Sequence, residues 1–445
     1  MNQNNRPRLY TLVSSSNLNE KKYRLKKYKH FDYRRPFQKV KHLITEPSWV
    51  AQHGFFPFIH FKITFRKYNK RQKKRKSKER EIFYASHLDS FIYKYYGDIL
   101  NGYYNSIAKE YNIHNVATAY RNNFKGKNNI HFAKEVIDFI AQQKQAYIFV
   151  ADFTNFFNNL DHHYLKEQIK NTLKIDSLPP DFYSVFKNIT KFSWIDKIKI
   201  EEELRKKYSK EEICSLPRYF TKNEYRTFKK DNVQKNKKGY GIPQGAGISS
   251  VCSNIYLIEF DRELNEYVKK FNGMYRRYSD DLIVVIPIDE FDTKGNYEAH
   301  HKFIGDLKNK IPRLQIQEEK TERLFYRNKK IYNENDKLAK LDYLGFSFDG
   351  INVRIREKSL FKFYSRAYKK VRICNRLTTK YKQKAQRKSL YCQYTHLGKY
   401  SKGHGNFLTY VANAQRVFER ETTTINLMEN QVKRHWNKIQ KRLDN

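Results

Sequence analysis

Apolar and polar positions alternate between two rhythms along the chain. Ala146-Tyr147-Ile148-Phe149-Val150-Ala151 and Leu282-Ile283-Val284-Val285-Ile286 are short continuous apolar runs, the pattern of strands covered on both faces. The first ends at Asp152. The second follows Met274-Tyr275-Arg276-Arg277 and Tyr278-Ser279-Asp280-Asp281, and stops at Pro287, so we expect a β-hairpin with two adjacent carboxylates at its tip. Glu81-Ile82-Phe83-Tyr84-Ala85 reads as a further strand, and the stretch from Trp49 to Phe65 as ordered and partly strand.

Helical spacing dominates elsewhere. Ser86-His87-Leu88-Asp89 opens a pattern carried by Phe91, Tyr95, Ile99 and Leu100, and Asp161 is placed to cap a helix beginning His162-His163-Tyr164. Ala133 to Gln142 and His300 to Lys310 read as helices. Phe361, Tyr364, Tyr368 and Val371 form the expected buried stripe of a long basic helix after Arg354.

The aspartates change what this pattern means. A tight turn breaks the alternation of faces, so Asp280 and Asp281 can approach one site, and Asp152 at the end of a neighbouring strand can face them. Like charges held together are unfavourable unless a cation neutralises them, and Mg²⁺ prefers hard carboxylate oxygens. Three aspartates on two strands can hold two Mg²⁺ ions, the arrangement used in phosphoryl transfer.

Charge narrows the partner. The 445 residues carry 89 Lys and Arg against 46 Asp and Glu, a formal net charge of +43, which suits a polyanion and favours nucleic acid over a membrane. The 35 Tyr and 32 Phe supply stacking surface as well as core. Residues 66 to 80 are almost all Lys and Arg, either a mobile hairpin tip or a phosphate grip. No apolar run approaches a membrane span and Met1-Asn2-Gln3-Asn4-Asn5 begins no apolar leader, so a cytoplasmic location is expected. Cys214, Cys252, Cys374 and Cys392 show no disulfide or Cys-x-x-Cys framework and read as reduced thiols; Cys374, Cys392, His396 and His404 are a minor zinc alternative.

Taken together, Asp152 with Phe156-Phe157, Gly241-Ile242-Pro243-Gln244-Gly245 running on through Ser249-Ser250 to Leu257, and Tyr278-Ser279-Asp280-Asp281 resemble, in order and spacing, the three central motifs of reverse transcriptases. The resemblance implies an α+β right-hand polymerase with fingers, an antiparallel-sheet palm and a helical thumb. It divides the chain into a basic N-terminal extension (1–80), fingers (81–145), palm (146–350, with a helical insertion at about 166–236) and a basic thumb and C-terminal region (351–445).

It further implies that Asp152, Asp280 and Asp281, with Phe153 beside them, hold two Mg²⁺ ions, Mn²⁺ being an alternative. Arg121, Lys125 and Lys127 would take the incoming triphosphate. Phe157 would meet the sugar and exclude a 2′-hydroxyl, with Phe156 facing the core. Gln244 and Gly245 would support template and incoming base. Leu314 to Glu322 resembles the fourth palm motif, with Lys320 as general acid toward pyrophosphate or as a surface lysine at a strand edge. Tyr343-Leu344-Gly345-Phe346 resembles the primer grip.

The stretch after the primer grip is too acid-poor for a ribonuclease H site. The likeness is to bacterial enzymes of the phage-defence group, with retron enzymes next. Expected partners are an RNA template, a DNA or RNA primer, deoxynucleoside triphosphates and a dedicated noncoding RNA, with a homo-oligomer or an accessory defence protein as further candidates. Two alternatives stay open on the sequence: template-independent or protein-primed DNA synthesis, and a nucleic-acid-binding scaffold without catalysis.

Overall fold

The computed structural model describes residues 9–10, 19–69, 74–288, 294–382, 387–400, 403, 405–420 and 423–444, without the side chains of 66–76, 78 and 294–296. Helices Phe37–Ile44 and Pro47–Gln52 lead into β1 (Phe58–Asn69) and β2 (Lys74–Tyr84), paired antiparallel from Ile59↔Tyr84 to Asn69↔Lys74. Residues 66–69 and 74–80 of the basic block therefore run along the arms of a hairpin, and residues 70–73, where its tip is expected, lie outside the described residues. Ser86 caps the helix His87–Glu110 by accepting from the Asp89 N–H, as the sequence predicts. Helix Asn129–Ala141 follows, then β3 (Gln145–Asp152).

Asp161 accepts from the Tyr164 N–H and caps the helix His162–Leu173. The region expected to be a helical insertion contains helices Pro180–Thr190, Lys197–Arg205, Lys210–Ser215 and Lys222–Asn232. It also contains β4 (Ser193–Asp196) and β5 (Gln234–Lys235), which sequence reading missed. These join the first hairpin in a sheet of order β2-β1-β4-β5, with β4 parallel to β1.

Helices Ser249–Tyr256 and Ile258–Lys269 precede β6 (Met274–Tyr278) and β7 (Asp281–Pro287). Pro287 is the last residue of β7, not a residue outside it. Helix Lys294–Lys310 leads to β8 (Glu322–Arg327) and β9 (Lys330–Asn333), completing an antiparallel sheet of order β6-β7-β3-β8-β9. β10 (Leu341–Tyr343), β11 (Phe346–Phe348), β12 (Asn352–Ile355) and, far along the chain, β13 (Ile425–Asn426) form a third sheet.

The five-stranded sheet is covered on both sides, which is why its central strands read as unbroken apolar runs. Tyr147, Phe149 and Ala151 of β3 enter one core with the helices His87–Glu110, Ser249–Tyr256 and Ile258–Lys269. Ala146 and Ile148 enter the other, with helix Asn129–Ala141, β10 to β12 and helix Phe407–Phe418. The period of two thus divides one strand between two cores.

Helix Glu357–Tyr381 buries Phe363, Ala367, Val371 and Cys374, whereas Phe361 is 75% exposed. The expected stripe began two residues early, because Phe363 and not Phe361 lies one turn before Ala367. Cys374 packs among Ala367, Val371, Leu390 and Ile439. His404 lies outside the described residues, and among the described residues no three His, Cys, Asp or Glu side chains form a metal cage.

Candidate active site

β3 and β7 pair antiparallel in a register that places Asp152 opposite Asp281 at the end of the ladder. β6 and β7 close through Tyr278↔Asp281, leaving Ser279 and Asp280 as the turn, with Ser279 at φ +63°. That left-handed residue reverses the chain in two positions. The Phe153 N–H donates to the Asp280 carbonyl at 3.1 Å, fastening the turn onto the end of β3. Three carboxylates from two strands therefore share the rim of one sheet.

Their proximity is visible in their proton affinities. Loss of surrounding water, then the neighbouring Asp280 and Asp152 carboxylates, push Asp281 up to about 6, while Lys320 and Arg356 oppose the shift. Asp280 is raised by burial and by Asp152. Lys320, in the one-turn helix Glu318–Lys320, pairs with Asp152 Oδ2, and the backbone joins the same two segments through Gln317 N–H to the Asp152 carbonyl at 2.8 Å. The other carboxylate oxygen, Asp152 Oδ1, is buried without a hydrogen-bond partner.

The chemistry of these donors is that of a divalent-cation site, while their side chains, like all others among the described residues, are not gathered into a three-ligand cage. An orphaned carboxylate oxygen and mutually repelling aspartates are what a cation would satisfy. Because Mg²⁺ keeps several waters and binds through one or two carboxylates plus substrate phosphates, a closed protein cage is not required. Asp152, Asp280 and Asp281 are the residues that would hold it.

Behind the turn lies a buried ion pair that sequence reading passed over as part of a strand. Arg277 and Asp261 are both fully buried; Nε donates to Oδ1 at 2.9 Å and Nη2 to Oδ2 at 2.6 Å. Arg277 Nη1 also donates to the Ser279 carbonyl at 2.9 Å and to Asn254 Oδ1 at 3.2 Å. Tyr275 donates its hydroxyl to Asp261 Oδ1 at 2.7 Å. The signal available in sequence was an arginine on the Tyr275 face of a strand and an aspartate on the Ile258–Leu264 face of an amphipathic helix, each unexplained alone.

The remaining candidates fall into two groups. Phe156 is buried and Phe157 half-buried, and the Phe157 carbonyl accepts from Ile242 N–H at 2.9 Å, tying that segment to the Pro243-Gln244-Gly245 loop. The Gln244 carbonyl accepts from Phe83 N–H at 3.0 Å, and a Cβ on Gly245, at φ +124°, would lie 2.2 Å from the Phe83 carbonyl oxygen. Only glycine lets the loop approach β2 so closely. Leu344 (φ +45°) and Gly345 (φ +97°) turn β10 into β11. Asn129 donates to the Leu344 carbonyl at 3.0 Å, and the Arg356 N–H to that of Gly345 at 3.0 Å. Tyr343 is buried, and desolvation together with Asp281 raises its hydroxyl, which brings this hairpin to the carboxylates. Phe346 is core.

The loop of Arg121, Lys125 and Lys127 springs from residues paired beside β6, where Thr118 N–H donates to the Arg277 carbonyl at 2.9 Å. Lys125 and Lys127 are exposed. Arg121 instead turns inward: Nε donates to Asn105 Oδ1 at 2.5 Å and Nη1 to the carbonyls of His114 and Ala117 at 3.1 Å each. Its guanidinium also stacks on Tyr104 and Phe124, so in this conformation it holds the loop in place.

No family model matches the chain, and no curated protein matches it. Among solved structures, it is similar to an apo telomerase from Candida tropicalis truncated from the C-terminal domain (TM-score 0.44, 11% identity, 73% of this chain and 61% of that one). A telomerase from Candida albicans in complex with a fragment of telomeric RNA matches at TM-score 0.41 and 11% identity, over 91% of this chain and 65% of that one. The apo Candida tropicalis telomerase gives 0.41 and 11% over 94% and 67%. This chain thus spans about three fifths of the length of the first of these (61%).

Proposed function

We propose that this chain is a reverse transcriptase, adding deoxynucleotides to a primer 3′ end as directed by an RNA template. The observation that carries the reading is the pairing of Asp152 with Asp281 across β3 and β7, with Asp280 in the adjoining turn. Such a rim of three carboxylates suits two Mg²⁺ ions, which when bound lower the pKa of the attacking hydroxyl and neutralise charge on the triphosphate and the departing pyrophosphate.

The chain's own residues supply position. The five-stranded sheet acts as palm, the β1–β2 hairpin and the helices after it as fingers, and the helices after Arg356 as thumb. Lys125 and Lys127 meet the triphosphate, and Lys320 holds a proton beside Asp152 for the leaving group. Phe157 faces the sugar, the Gln244-Gly245 loop supports the template, and the Leu344-Gly345 turn supports the primer. A dedicated noncoding RNA and a role in phage defence belong to the same proposal and are supported by the sequence resemblance. Among the described residues no helix is long and apolar enough to cross a membrane.

Incorporation of labelled deoxynucleotides with Mg²⁺ on a primed RNA template tests the reading, with an Asp280→Ala, Asp281→Ala variant as control. Equal incorporation without template would favour the template-independent alternative, and none in the parent protein would remove the polymerase reading. Sequencing of nucleic acid that co-purifies tests the dedicated RNA: one structured transcript supports it, random cellular RNA counts against it.

A further inference from the structure

Helix Asn129–Ala141 begins two residues after Lys127, and its first turn is capped by Asn128, whose side chain accepts from Ile130 N–H at 3.0 Å. The Asn129 carboxamide is therefore free to reach across the molecule. Its Nδ2 donates to the Leu344 carbonyl at 3.0 Å and to the Tyr410 hydroxyl at 3.0 Å, partners 215 and 281 residues further along the chain. We propose that Asn129 and Tyr410 are positioning residues, a clamp that sets the Leu344-Gly345 turn against the Lys125–Lys127 loop and so fixes the primer end relative to the incoming nucleotide. What the clamp positions rests on the polymerase reading; the clamp itself rests on its hydrogen bonds.

The turn is one that must be held. Leu344 (φ +45°) and Gly345 (φ +97°) are both left-handed, and a residue with a Cβ keeps that conformation where its surroundings impose it. Both carbonyls of the turn are taken, that of Leu344 by Asn129 and that of Gly345 by the Arg356 N–H at 3.0 Å. One donor opens the helix after the Lys125–Lys127 loop, and the other stands at the N-cap of helix Glu357–Tyr381. The turn is the joint between them.

Tyr410, in helix Phe407–Phe418, closes the third side. Its ring stacks on Phe346 at 6.4 Å and on Phe407 at 6.2 Å between centroids, and a Cβ on Gly345 would lie 3.8 Å from its hydroxyl. Packing places the ring, so the hydroxyl is a fixed acceptor for the carboxamide.

The same helix also faces the aspartate hairpin and the basic loop. Phe132 packs on Tyr278 at 6.4 Å and on Phe124 of the loop at 5.5 Å, and Arg276 Nε donates to Glu135 Oε1 at 3.1 Å. One rigid element thus carries the distances between the carboxylates, the loop and the primer turn, and Asn129 makes the link to the last. Two donors on one uncharged nitrogen are what the position requires; aspartate has the same shape and neither donor.

The test measures single-turnover addition of one deoxynucleotide to a primed RNA template by the full chain with Mg²⁺, together with primer–template affinity and hydrogen exchange over residues 341–348. Tyr410→Phe, which removes one oxygen and keeps the ring, and Asn129→Asp, which keeps the shape and loses both donors, should each lower the rate constant by about tenfold, with nucleotide and primer–template affinities within about twofold of the parent. Amides of the turn should exchange faster in both. A single-turnover rate constant does not depend on the folded fraction, so a merely structural role would lower the amplitude and leave the constant unchanged; that result overturns the proposal. If Asn129→Asp does not fold, Tyr410→Phe decides. Faster exchange in the variants of a protein that adds no nucleotide would keep the clamp and remove the polymerase reading. Addition at the parent's rate constant in both variants would keep that reading and remove the positioning role.

Discussion

Arg277 grips Asp261 through two parallel hydrogen bonds of 2.9 and 2.6 Å while its remaining nitrogen reaches the Ser279 carbonyl, so a fully buried ion pair sets the turn that carries Asp280. Removing one partner leaves an uncompensated buried charge, at a cost of about 3–5 kcal/mol. Arg277→Ala should therefore lower the unfolding midpoint strongly. Arg277→Lys, which keeps the charge but loses the fork, should fold at lower temperature and incorporate nucleotides more slowly even where circular dichroism shows it folded. Parent-like rate and midpoint for Arg277→Lys would show that the pair does not position the turn.

Replacing Asp152 or Asp280 by Ala should abolish nucleotide addition and leave the fold and nucleic-acid affinity largely intact. For Asp280, whose carboxyl is raised by burial and by Asp152, removing the carboxylate relieves repulsion and the unfolding midpoint should stay level or rise, whereas Asp152→Ala also gives up the pair with Lys320 and should change it little. Activity near that of the parent in either variant would overturn the site assignment.

How much of this was legible follows from which contacts are local. β3, β7 and the caps at Ser86 and Asp161 are written in runs of a few residues, and the structure places them as expected. β4 and β5 are not, because four residues and two residues become strands only by pairing with β1 and with each other. The expected stripe starts at Phe361 because Phe361 lies three and seven residues before Tyr364 and Tyr368, whereas Phe363 is in helical step with the smaller Ala367, Val371 and Cys374 and is fixed by packing on Phe407 and Tyr394, which come from later in the chain. Arg277 and Asp261 each stand at a buried position of a periodic pattern, beside Tyr275 in β6 and between Ile258 and Leu264 in the helix, but neither local pattern names the other residue as its partner.

On the proposed assignment of half-buried Phe157 to the sugar, Phe157→Ala should raise ribonucleotide use relative to deoxyribonucleotide use, whereas buried Phe156 belongs to the core. Competition between the two sugars on one primed template measures it. A shift for Phe156→Ala with none for Phe157→Ala would reverse the assignment.

Acid should weaken the fold through His30. The ring is fully buried among Phe31, Phe56 and Tyr84, and burial pushes it down to about 3, against the opposing pull of Asp32. Between its unfolded value of about 6.5 and about 3, the unfolded chain binds a proton that the folded chain does not, so stability rises with pH in that window and is lost as pH falls. Asp32, held low by its bond to His87, acts in the same direction at the lower end. His30→Phe should flatten the dependence of the unfolding midpoint between pH 6.5 and 4.5 relative to the parent; an equal slope in both proteins would assign the acid sensitivity elsewhere.

Binding to nucleic acid should depend steeply on salt. Each phosphate neutralised releases condensed counterions, giving a log–log slope of about −0.7 to −0.9 per phosphate, so the net charge of +43 leads us to expect several neutralised phosphates and a slope of several units. The basic arms of the β1–β2 hairpin offer one place to find them. Neutralising Lys and Arg between residues 66 and 80 should make the slope shallower by about one unit for each phosphate that the hairpin had neutralised, with little change in the unfolding midpoint, because a run of like charges repels itself and contributes little to the fold. A slope that stays the same in that variant would place the phosphates on the other basic surfaces, among them the helix Glu357–Tyr381; a nearly flat response in the parent would mean that the charge does not meet the nucleic acid at all.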